Sequence, residues 1–335
     1  SAAAAQLEGS KSFSKQFLVK HGIPTAAYGS FESVRPACDF ARTLSPPVVI
    51  KADGLAAGKG VLIAQSYEEA DQVIAHMLEG DAFGQAGHRV VIEEFLVGEE
   101  ASFIVIANGH SYLPFATSQD HKALLDGDLG LNTGGMGAYS PAPVVTDAIH
   151  ARVLSEIIEP TLAGMIADGH PYKGFLYAGL MIEPTGGVKV VEFNCRFGDP
   201  ETQPVLLRMQ SDLVSLCVGA VNNRLDSCTL EFTDAAAVAV VLAAEGYPQA
   251  YRKNEEIEGL SLPMASKVFH CGTLLQGTNI KTSGGRVLAV TALGNSVRAA
   301  QSQVYEDIQG IQFAGMQYRR DIGYRAIARE KNSAY

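Results

Sequence analysis

The sequence predicts an α+β protein with more than one domain, and three observations support this prediction. The chain has 335 residues, of which 47% are hydrophobic and 19% charged, so it is long enough for two or three domains with sizeable cores. Over residues 1–225, short β-branched segments alternate with helix-like periodic segments. From residue 228 to 335 the residue pattern changes to strand-like segments with few polar residues that could converge on a site. This change predicts a second, smaller α+β domain.

The first hundred residues predict two helices and a hairpin. Apolar residues share one face over residues 6–21, and a second helix-like pattern covers 67–79. Short apolar segments at 48–52 and 60–64 flank a glycine-rich loop and therefore predict a β-hairpin. A further strand begins at Val90 and continues into an acidic segment.

The remainder of the chain predicts more hairpins and helices, separated by one long polar loop. The expected strands are 101–107 with 112–116, 175–182 with 188–193, 235–244, 265–270 and 286–293, and the expected helices are 147–168, 202–222 and 296–308. The polar segment 119–143 is dense in glycine and is predicted to be a loop. Loops of this length inside a compact domain usually serve a function.

The charge and cysteine content exclude several classes of protein. The formal net charge is −10, so the phosphate backbone of a nucleic acid would repel the chain as a whole. The five cysteines are odd in number and show no C-x-x-C spacing, which indicates reduced thiols in the cytoplasm and no zinc site. No apolar segment is long enough to cross a membrane, and the first residues are too short for a signal peptide.

The loop in the segment IKADGLAAGKG, residues 50–60, is suited to a phosphate chain. Glycine allows backbone N–H groups to approach phosphate oxygens, and Lys51 and Lys59 supply positive charge. It is not a Walker loop, because only three residues separate Gly54 from Gly58 and no hydroxyl follows Lys59. A plain glycine hairpin with solvated lysines is the alternative interpretation.

A strand at residues 190–196 offers oxygen ligands for a metal ion. Alternation assigns Val190, Glu192, Asn194 and Arg196 to one face, and Val191, Phe193 and Cys195 to the core. Glu192 and Asn194 then present a carboxylate and an amide oxygen side by side, which suits magnesium bound to phosphates. Arg196 beside them would stabilise a transferring phosphoryl group. The alternative is a polar surface strand with a salt bridge, although the nearby carboxylates of Asp199 and Glu201 favour a site.

Two further segments are candidates for ligand contact. The segment 91–100 passes from strand to turn, so its backbone could bind an adenine edge beside Phe95 and Leu96, with Glu100 near the ribose. An ordinary acidic strand end is the alternative. In the long loop, residues 133–135 offer N–H donors for an anion or an amine-bearing substrate, whereas His121 is expected to be solvated.

Together these segments resemble the ATP-grasp ligases, and among them the phosphoribosylamine–glycine ligase family. The resemblance covers nearly the whole chain through long, specific motifs. These motifs are QLEGSK at 6–11, VIKADGLAAGKGV at 49–61, VIEEFLVGEEASF at 91–103, ATSQDHK at 116–122, NTGGMGAYSPAP at 132–143, GFLYAGLM at 174–181, EFNCRFGDPETQP at 192–204 and RDIGYRAI at 320–327. The resemblance implies an ATP-grasp domain at 1–225, with a small lobe at about 24–97, and a C-terminal α+β domain at 228–335.

The resemblance also implies roles for individual residues. The implied nucleotide contacts are Lys11, Lys51, Gly58, Lys59, Gly60, Glu93, Glu94, Phe95, Leu96 and Glu100. The implied substrate contacts are Asp120, Asn132, Thr133, Gly134, Gly135, Met136 and Glu201. The implied metal ligands are Glu192 and Asn194, and the implied catalytic residues are Arg196, Lys51 and Asp199.

The implied reaction is an ATP-dependent ligation in purine synthesis, with Mg²⁺ or Mn²⁺ as the metal. The carboxylate of glycine takes the γ-phosphoryl group of ATP, and the amine of 5-phosphoribosylamine then attacks the glycyl phosphate. This reaction needs no nucleophile from the protein, which agrees with a sequence that shows no Ser/His/Asp or Cys/His set. Positioning and charge neutralisation would supply the catalysis.

The sequence departs from the family pattern at two places. Leu131 stands where the family commonly has proline, which is expected to change local stiffness only. Only five residues precede QLEGSK, whereas the family carries a dinucleotide-type domain there that contributes to the phosphoribosylamine pocket. The chain is therefore expected to be a fragment, with that domain as its partner. An inactive ATP-binding fragment, or a ligase with another amine acceptor, remain as alternatives.

Overall fold

A computed structural model describes residues 1–54, 60–80 and 87–333, and these residues contain ten α-helices and seventeen β-strands. The helices are α1 (Gln6–Gly9), α2 (Lys11–Lys20), α3 (Val34–Ala41), α4 (Tyr67–Glu79), α5 (Asp147–Val153), α6 (Glu159–Ala167), α7 (Thr202–Arg208), α8 (Leu213–Val221), α9 (Val297–Ile308) and α10 (Tyr324–Ser333). The strands are β1 (Tyr28–Phe31), β2 (Val48–Ala52), β3 (Val61–Ala64), β4 (Val90–Glu94), β5 (Glu99–Asn108), β6 (Tyr112–Pro114), β7 (Gln119–Asp120), β8 (Ala123–Leu125), β9 (Leu129–Asn132), β10 (Gly137–Ser140), β11 (Lys173–Ile182), β12 (Val188–Asn194), β13 (Ala236–Ala243), β14 (Lys267–His270), β15 (Thr273–Gln276), β16 (Asn279–Thr282) and β17 (Arg286–Gly294).

The first sheet is antiparallel, with strand order β1-β4-β2-β3. The β2–β3 hairpin is confirmed, with Lys51 opposite Val61. Alternation along β2 and β4 gives the sheet two faces. Ile50 and Ile92 on one face pack under α3 and α4, while Lys51 and Glu93 on the other face line a cavity.

The second sheet is also antiparallel, with order β12-β11-β5-β6. One face packs against α2 and against the long helix that α5 and α6 form through a π-helical turn at Leu154–Ile158. The other face packs against α7 and α8. The predicted helix at 147–168 is confirmed, and the sheet is covered on both sides except where residues of β5, β11 and β12 line the cavity.

The third sheet has the order β14-β17-β13-β10-β7 and is centred on β13, whose eight residues are all buried. Helix α9 packs against it. Strands β7 and β10 come from the segment 119–143, so the prediction of a plain loop there was wrong. The cause is a long-range pairing: β10 pairs with β13, and no local periodicity announces that partner. The predicted C-terminal domain thus shares a sheet with this segment.

Two predicted helices are each divided by a capping residue. Ser10 ends α1 and caps α2 by accepting a hydrogen bond from Phe13 N, and Asp212 caps α8 by accepting one from Ser215 N. Sequence reasoning did not predict α3, α10, β1 or the β15–β16 hairpin. All five cysteines lie in described residues and are free thiols. Within the part of the chain that the structure describes, none of the helices has the length and apolarity needed to cross a membrane.

Candidate active site

A cavity of about 470 Å³ is lined by side chains from the first two sheets, from α2 and from the segment 119–134. The hairpin residues Lys51 and Gly60 line it together with the candidate metal ligands Glu192 and Asn194. The hairpin and the strand that carries the candidate metal ligands therefore share one cavity, as the predicted chemistry requires. Two implied contacts, Gly58 and Lys59, lie outside the described residues.

One wall of the cavity carries a lysine cluster, formed by Lys11, Lys15, Lys51 and Glu93. The Glu93 carboxylate lies between two ammonium groups, with Lys15 Nζ 2.8 Å from Oε2 and Lys51 Nζ 2.8 Å from Oε1. Burial alone would raise the pKa of Glu93, but Lys51 and Lys15 outweigh it and lower this pKa. Glu93 was implied as a nucleotide contact, whereas its carboxylate forms ion pairs with these two lysines.

The position of Lys11 is determined by contacts at the start of α2. Asp53, at the end of β2, accepts hydrogen bonds from Ser12 N at 2.6 Å and from Ser10 Oγ at 3.0 Å. The first turn of α2 is thereby fixed to the hairpin. Lys11 Nζ donates to Gly54 O at 3.0 Å, so its ammonium lies at the start of the glycine-rich loop. Burial lowers the pKa of Lys11.

Strand β12 carries the candidate metal ligands, and a β-bulge changes which of its side chains share a face. Glu192 and Val190 pair with consecutive residues of β11, so Val191 is the extra residue. Val190 is therefore buried in the core, and Val191 lines the cavity, which is the reverse of the predicted alternation. Glu192 and Asn194 remain on the cavity side.

Arg196 follows these ligands and is held by α1. Its Nε donates to Glu8 Oε1 at 3.0 Å, and its Nη2 donates to Asn194 Oδ1 at 3.3 Å. The other carboxylate oxygen of Glu8 accepts a hydrogen bond from Cys195 N at 2.8 Å. The guanidinium thus lines the cavity beside the candidate metal ligands, where it could meet a phosphoryl group.

The donor set at β12 fits a hard divalent cation. Asn194 Nδ2 lies 3.5 Å from Glu192 Oε1, so the amide and the carboxylate are neighbours. Among the described residues there is no group of three or more His, Cys, Asp and Glu side chains that could hold a metal by itself. A cation with two protein ligands, which takes its other ligands from phosphate and water, matches the way proteins bind Mg²⁺.

The connector after β4 brings Glu94, Phe95 and Leu96 to the cavity. The Glu94 carboxylate accepts hydrogen bonds from Ala27 N at 3.0 Å and from Lys189 Nζ at 3.2 Å, so it fixes the connector to β12. Phe95 is 39% exposed and provides an apolar surface at the cavity. Such a surface suits a flat base, and the adenine contact stays a prediction.

Another part of the cavity wall is negatively charged, in contrast to the lysine cluster. It consists of a carboxylate cluster, formed by Glu100, Asp120, Lys122 and Glu201. Lys122 pairs with Glu100, and both line the cavity, so a ligand would remove water from this pair. Burial raises the pKa of Asp120 to about 7; Lys122 opposes this rise, and Glu201 and Glu100 add to it. The cluster therefore holds more negative charge than its single lysine balances.

Glu201 is the most buried carboxylate of this cluster, at 2% exposure. Ser102 Oγ donates to Glu201 Oε1 at 2.8 Å and lies 2.9 Å from the hydroxyl of Tyr177. The other oxygen, Oε2, is buried without a hydrogen-bond partner. An unpaired buried carboxylate oxygen is costly, so a donor from a ligand in the cavity would stabilise it.

The turn at residues 133–135 does not offer free N–H donors, which corrects the sequence-based expectation. Thr133 N donates to Lys122 O, Gly134 N donates to the Tyr247 hydroxyl, and Gly135 N donates to Thr133 Oγ1. Side chains of Asn132 and Thr133 still line the cavity, as does Gly134.

Gly135 and Met136 are not among the residues that line the cavity, so their implied substrate contacts are not supported. Gly135 has φ +107°, and a Cβ there would lie 2.3 Å from Pro200 Cδ, so close packing explains this glycine. Met136 is fully buried, and its backbone bonds to His121 and Val241.

Comparison with known proteins decides the family. The family profile of the phosphoribosylglycinamide synthetase ATP-grasp (A) domain matches residues 9–202, and that of the C domain of the same synthetase matches residues 237–325. The chain is 59% identical over 331 residues to the phosphoribosylamine–glycine ligase of Vibrio vulnificus YJ016, covering 98% of this chain and 77% of that one. The chain belongs to the phosphoribosylamine–glycine ligase family. Its members are ATP-grasp ligases, so the family and the enzyme class implied by the motifs are confirmed.

Other relatives agree with this membership. The phosphoribosylamine–glycine ligase of Pasteurella multocida is 56% identical over 99% of this chain, which spans 78% of that relative. A crystal structure of this ligase from Thermotoga maritima matches with a TM-score of 0.88 at 37% identity, covering 96% of this chain and 80% of that one. The biotin carboxylase domain of the Hydrogenobacter thermophilus 2-oxoglutarate carboxylase matches with a TM-score of 0.73 at 16% identity, over 93% and 67% of the two chains, and shares the fold alone.

Sequence reasoning missed a contribution of the C-terminal part of this ligase-family chain to the cavity. Arg286, on β17, donates to both carboxylate oxygens of Asp199, at 2.8 Å and 2.6 Å, and also bonds to Gly134 O. Asp199, implied as catalytic, is therefore paired with Arg286 and not with Arg196. No local signal marks Arg286 in the sequence, because only the sheet formed by β17, β13 and β10 brings it to the cavity.

The expectation that His121 is solvated was wrong. His121 is 1% exposed, and its Nε2 accepts a hydrogen bond from Gly323 N at 2.9 Å. Its Nδ1 lies 3.5 Å from Asp128 Oδ1, and Asp128 also accepts from Arg319 at 2.8 Å. The motif RDIGYRAI, implied only as a family mark, thus covers His121 and fixes the segment that carries Asp120.

Proposed function

We propose that the cavity joins glycine to 5-phosphoribosylamine, using ATP, and forms glycinamide ribonucleotide, ADP and phosphate. One observation supports this function above others: a lysine cluster, a pair of oxygen ligands and a carboxylate cluster line the same cavity. Those three groups match a polyphosphate, a divalent cation and an amino acid with its ammonium group. The five free cysteines fit a reaction in the reducing cytoplasm.

The lysine cluster would bind the phosphate chain of ATP. Lys11 and Lys51 face the cavity from a helix start and from β2, next to the glycine-rich loop. Phe95 and Leu96 would hold the adenine, and Glu100 would accept from the ribose hydroxyls. Glu192 and Asn194 would hold a divalent cation, and Mg²⁺ suits these oxygen ligands, with Mn²⁺ as the alternative. Such a cation, when bound, neutralises charge on the phosphates and fixes their orientation.

The carboxylate cluster would bind glycine. The unpaired Oε2 of Glu201 would accept from the glycine ammonium group, and Asp120 in its ionised form would add a second charge. This placement leaves the glycine carboxylate free to approach the phosphate chain near Arg196. Binding in one cavity supplies the proximity that the first step needs.

The reaction then proceeds in two steps, phosphoryl transfer and amide formation. A glycine carboxylate oxygen attacks the γ-phosphorus, the bond to the β,γ-bridging oxygen breaks, and ADP and glycyl phosphate form. The amine of 5-phosphoribosylamine attacks the glycyl carbonyl carbon, loses a proton, and expels phosphate as the amide forms. Arg196 would stabilise charge on the transferring phosphoryl group in the first step.

ADP release tests this proposal. We expect ADP to form only when glycine and 5-phosphoribosylamine are both present, with the N-terminal segment of a full-length relative added in trans as a second condition. Activity that appears only on this addition would identify the chain alone as an ATP-binding, incompetent fragment. Faster turnover with a different amine would favour another acceptor. A chain that binds no ATP in either condition would contradict the proposal.

A further inference from the structure

Lys15 is a charged residue of the cavity wall that neither the motifs nor the implied roles account for. It lies on α2 one turn after Lys11, and its side chain is only 3% exposed. The side chains of Glu93 and Lys51 are equally enclosed, at 4% and 6% exposure. Three buried charges thus form a continuous series, Lys15–Glu93–Lys51, along the cavity wall.

Stability does not explain this arrangement. Removing three charges from water costs about as much as their attraction returns, and well-packed apolar residues would serve a core at least as well. Two lysines around one carboxylate also leave a net positive charge, which a purely structural ion pair avoids. The net charge lies on the wall of a cavity, where a negatively charged ligand would complete it.

We propose that Lys15 is a positioning residue, which holds Lys51 through Glu93 in the place where its ammonium group binds a nucleotide phosphate chain. The inference rests on the proposed function, since it assumes that the cavity takes a nucleoside polyphosphate. With Lys15 charged, Glu93 divides its charge between two ammonium groups, and Lys51 keeps attraction for phosphate. Without that charge, Glu93 would pair with Lys51 alone and cancel it.

The contacts of Lys15 also connect these three charges to β12, the strand that carries the candidate metal ligands. Lys15 Nζ donates to Thr25 Oγ1 at 2.7 Å, and Thr25 Oγ1 donates to Val190 O at 2.7 Å. Lys51 Nζ lies 3.4 Å from Val191 O, so Lys51, the last of the three charges, contacts the same strand. Lys15 therefore fixes Lys51 relative to β12 as well as relative to the first sheet.

The charge of Lys15 is sensitive to pH near neutrality. Burial lowers the pKa of Lys15 to about 8, and Glu93 opposes this shift. The groups that face it are Glu93 and Glu94 from β4, Lys51 from β2 and the hydroxyl of Thr25. As pH rises through about 8, Lys15 becomes neutral, so the affinity for a polyphosphate should fall while the affinity for an uncharged nucleoside should not.

Equilibrium binding of ATP, ADP and adenosine to the whole chain tests the proposal. In Lys15→Met we expect affinities for ATP and ADP at pH 7 to fall by about tenfold or more, the scale of losing a buried charge contact. Adenosine affinity should change by less than about twofold. Lys15→Arg should retain most of the ATP affinity. Lys20→Met is the matched control, because Lys20 lies on the same helix but is exposed and pairs with Asp168.

The pH profile of the unmodified chain gives a second readout, and this part of the test does not depend on the folding of a variant. The ratio of ATP affinity to adenosine affinity should fall between pH 7 and 9, and Lys15→Met should remove this fall. A ratio that stays constant over this range, or equal losses of ATP and adenosine in Lys15→Met, would overturn the assignment. An unmodified chain that binds no ATP would overturn the proposed function as well, whereas normal ATP binding with no effect of Lys15→Met would overturn this inference alone.

Discussion

The lysine cluster and the carboxylate cluster line one cavity, but they satisfy their charges to different degrees. In the lysine cluster each oxygen of Glu93 meets an ammonium group, at 2.8 Å on both sides. In the carboxylate cluster one oxygen of Glu201 has no partner, and the pKa of Asp120 is raised to about 7. The first cluster pairs its one carboxylate and keeps a net positive charge for an anionic ligand, whereas the second keeps a net negative charge for the positively charged group of a ligand.

This difference indicates two ways of using buried charge. A cation that is already held in place binds phosphate without further rearrangement, which favours positioning and transition-state stabilisation. A carboxylate cluster with unbalanced charge selects a ligand by its ammonium group. Glu192 is electrostatically coupled to both clusters, through Lys11 in one and Lys122 in the other. Changes at Glu192 should therefore have the largest effect.

Glu192→Ala removes the candidate metal ligand that both clusters face. We expect ATP turnover in the ADP-release assay to fall about a thousandfold or more, the scale of losing a group that stabilises charge in the reaction. The ratio of ATP affinities with and without Mg²⁺ should also approach one.

The control for this prediction is Glu183→Ala, because Glu183 pairs with Lys189 and does not line the cavity. It makes the same change of charge outside the cavity. Turnover within a few-fold of the unmodified chain in Glu192→Ala would rule out Glu192 as a ligand and remove the link between the two clusters.

Local patterns predicted those parts of the molecule whose partners are near in sequence. The β2–β3 hairpin and the helix of α4 follow from alternation and from helical periodicity within one segment. Strand β10 was missed because its partner β13 belongs to the far end of the chain. The prediction of which side chains share a face of β12 was partly wrong, because the residue types themselves do not indicate a bulge.

The candidate site shows the same limit. The motifs placed Lys51, Glu192 and Asn194 in one site, and the structure brings them to one cavity. Arg286 was missed because a long-range sheet carries it to Asp199. Lys15 did have a signal: it lies four residues after Lys11, so the two share a helix face. Its contact with Glu93, however, exists only in the folded chain.

Glu201→Gln tests whether the carboxylate cluster binds the ammonium group of glycine. We expect the apparent affinity for glycine to fall by about a hundredfold, because the change removes the charge of a buried acceptor, while ATP affinity stays within about twofold. Glu156→Gln is the control, since Glu156 pairs with Arg152 on a helix surface. Equal losses for glycine and ATP would mean that the two clusters do not act on separate ligands.

The pH dependence of glycine binding gives a smaller effect, of opposite sign to that at Lys15. Below a pH of about 7 Asp120 is protonated and neutral, and above it Asp120 is ionised. Glycine affinity should therefore rise between pH 6 and 8, by at most about tenfold per pH unit, and Asp120→Asn should flatten this rise. An unchanged pH profile in Asp120→Asn would exclude Asp120 from the glycine site.

The smallest effect is expected at Ser102, which touches the ligand only through Glu201. Ser102→Ala removes the hydrogen bond of 2.8 Å to Glu201 Oε1, and the loss of one such bond costs about 1 kcal/mol, or roughly fivefold in glycine affinity. Ser118→Ala is the matched control, because Ser118 pairs with Ser102 through the backbone and its buried hydroxyl has no hydrogen-bond partner. If both variants weaken glycine binding equally, packing and not orientation of the carboxylate is the cause. If only Ser102→Ala does so, the position of Glu201 is set by its neighbour, as that of Lys51 is set by Lys15 and Glu93.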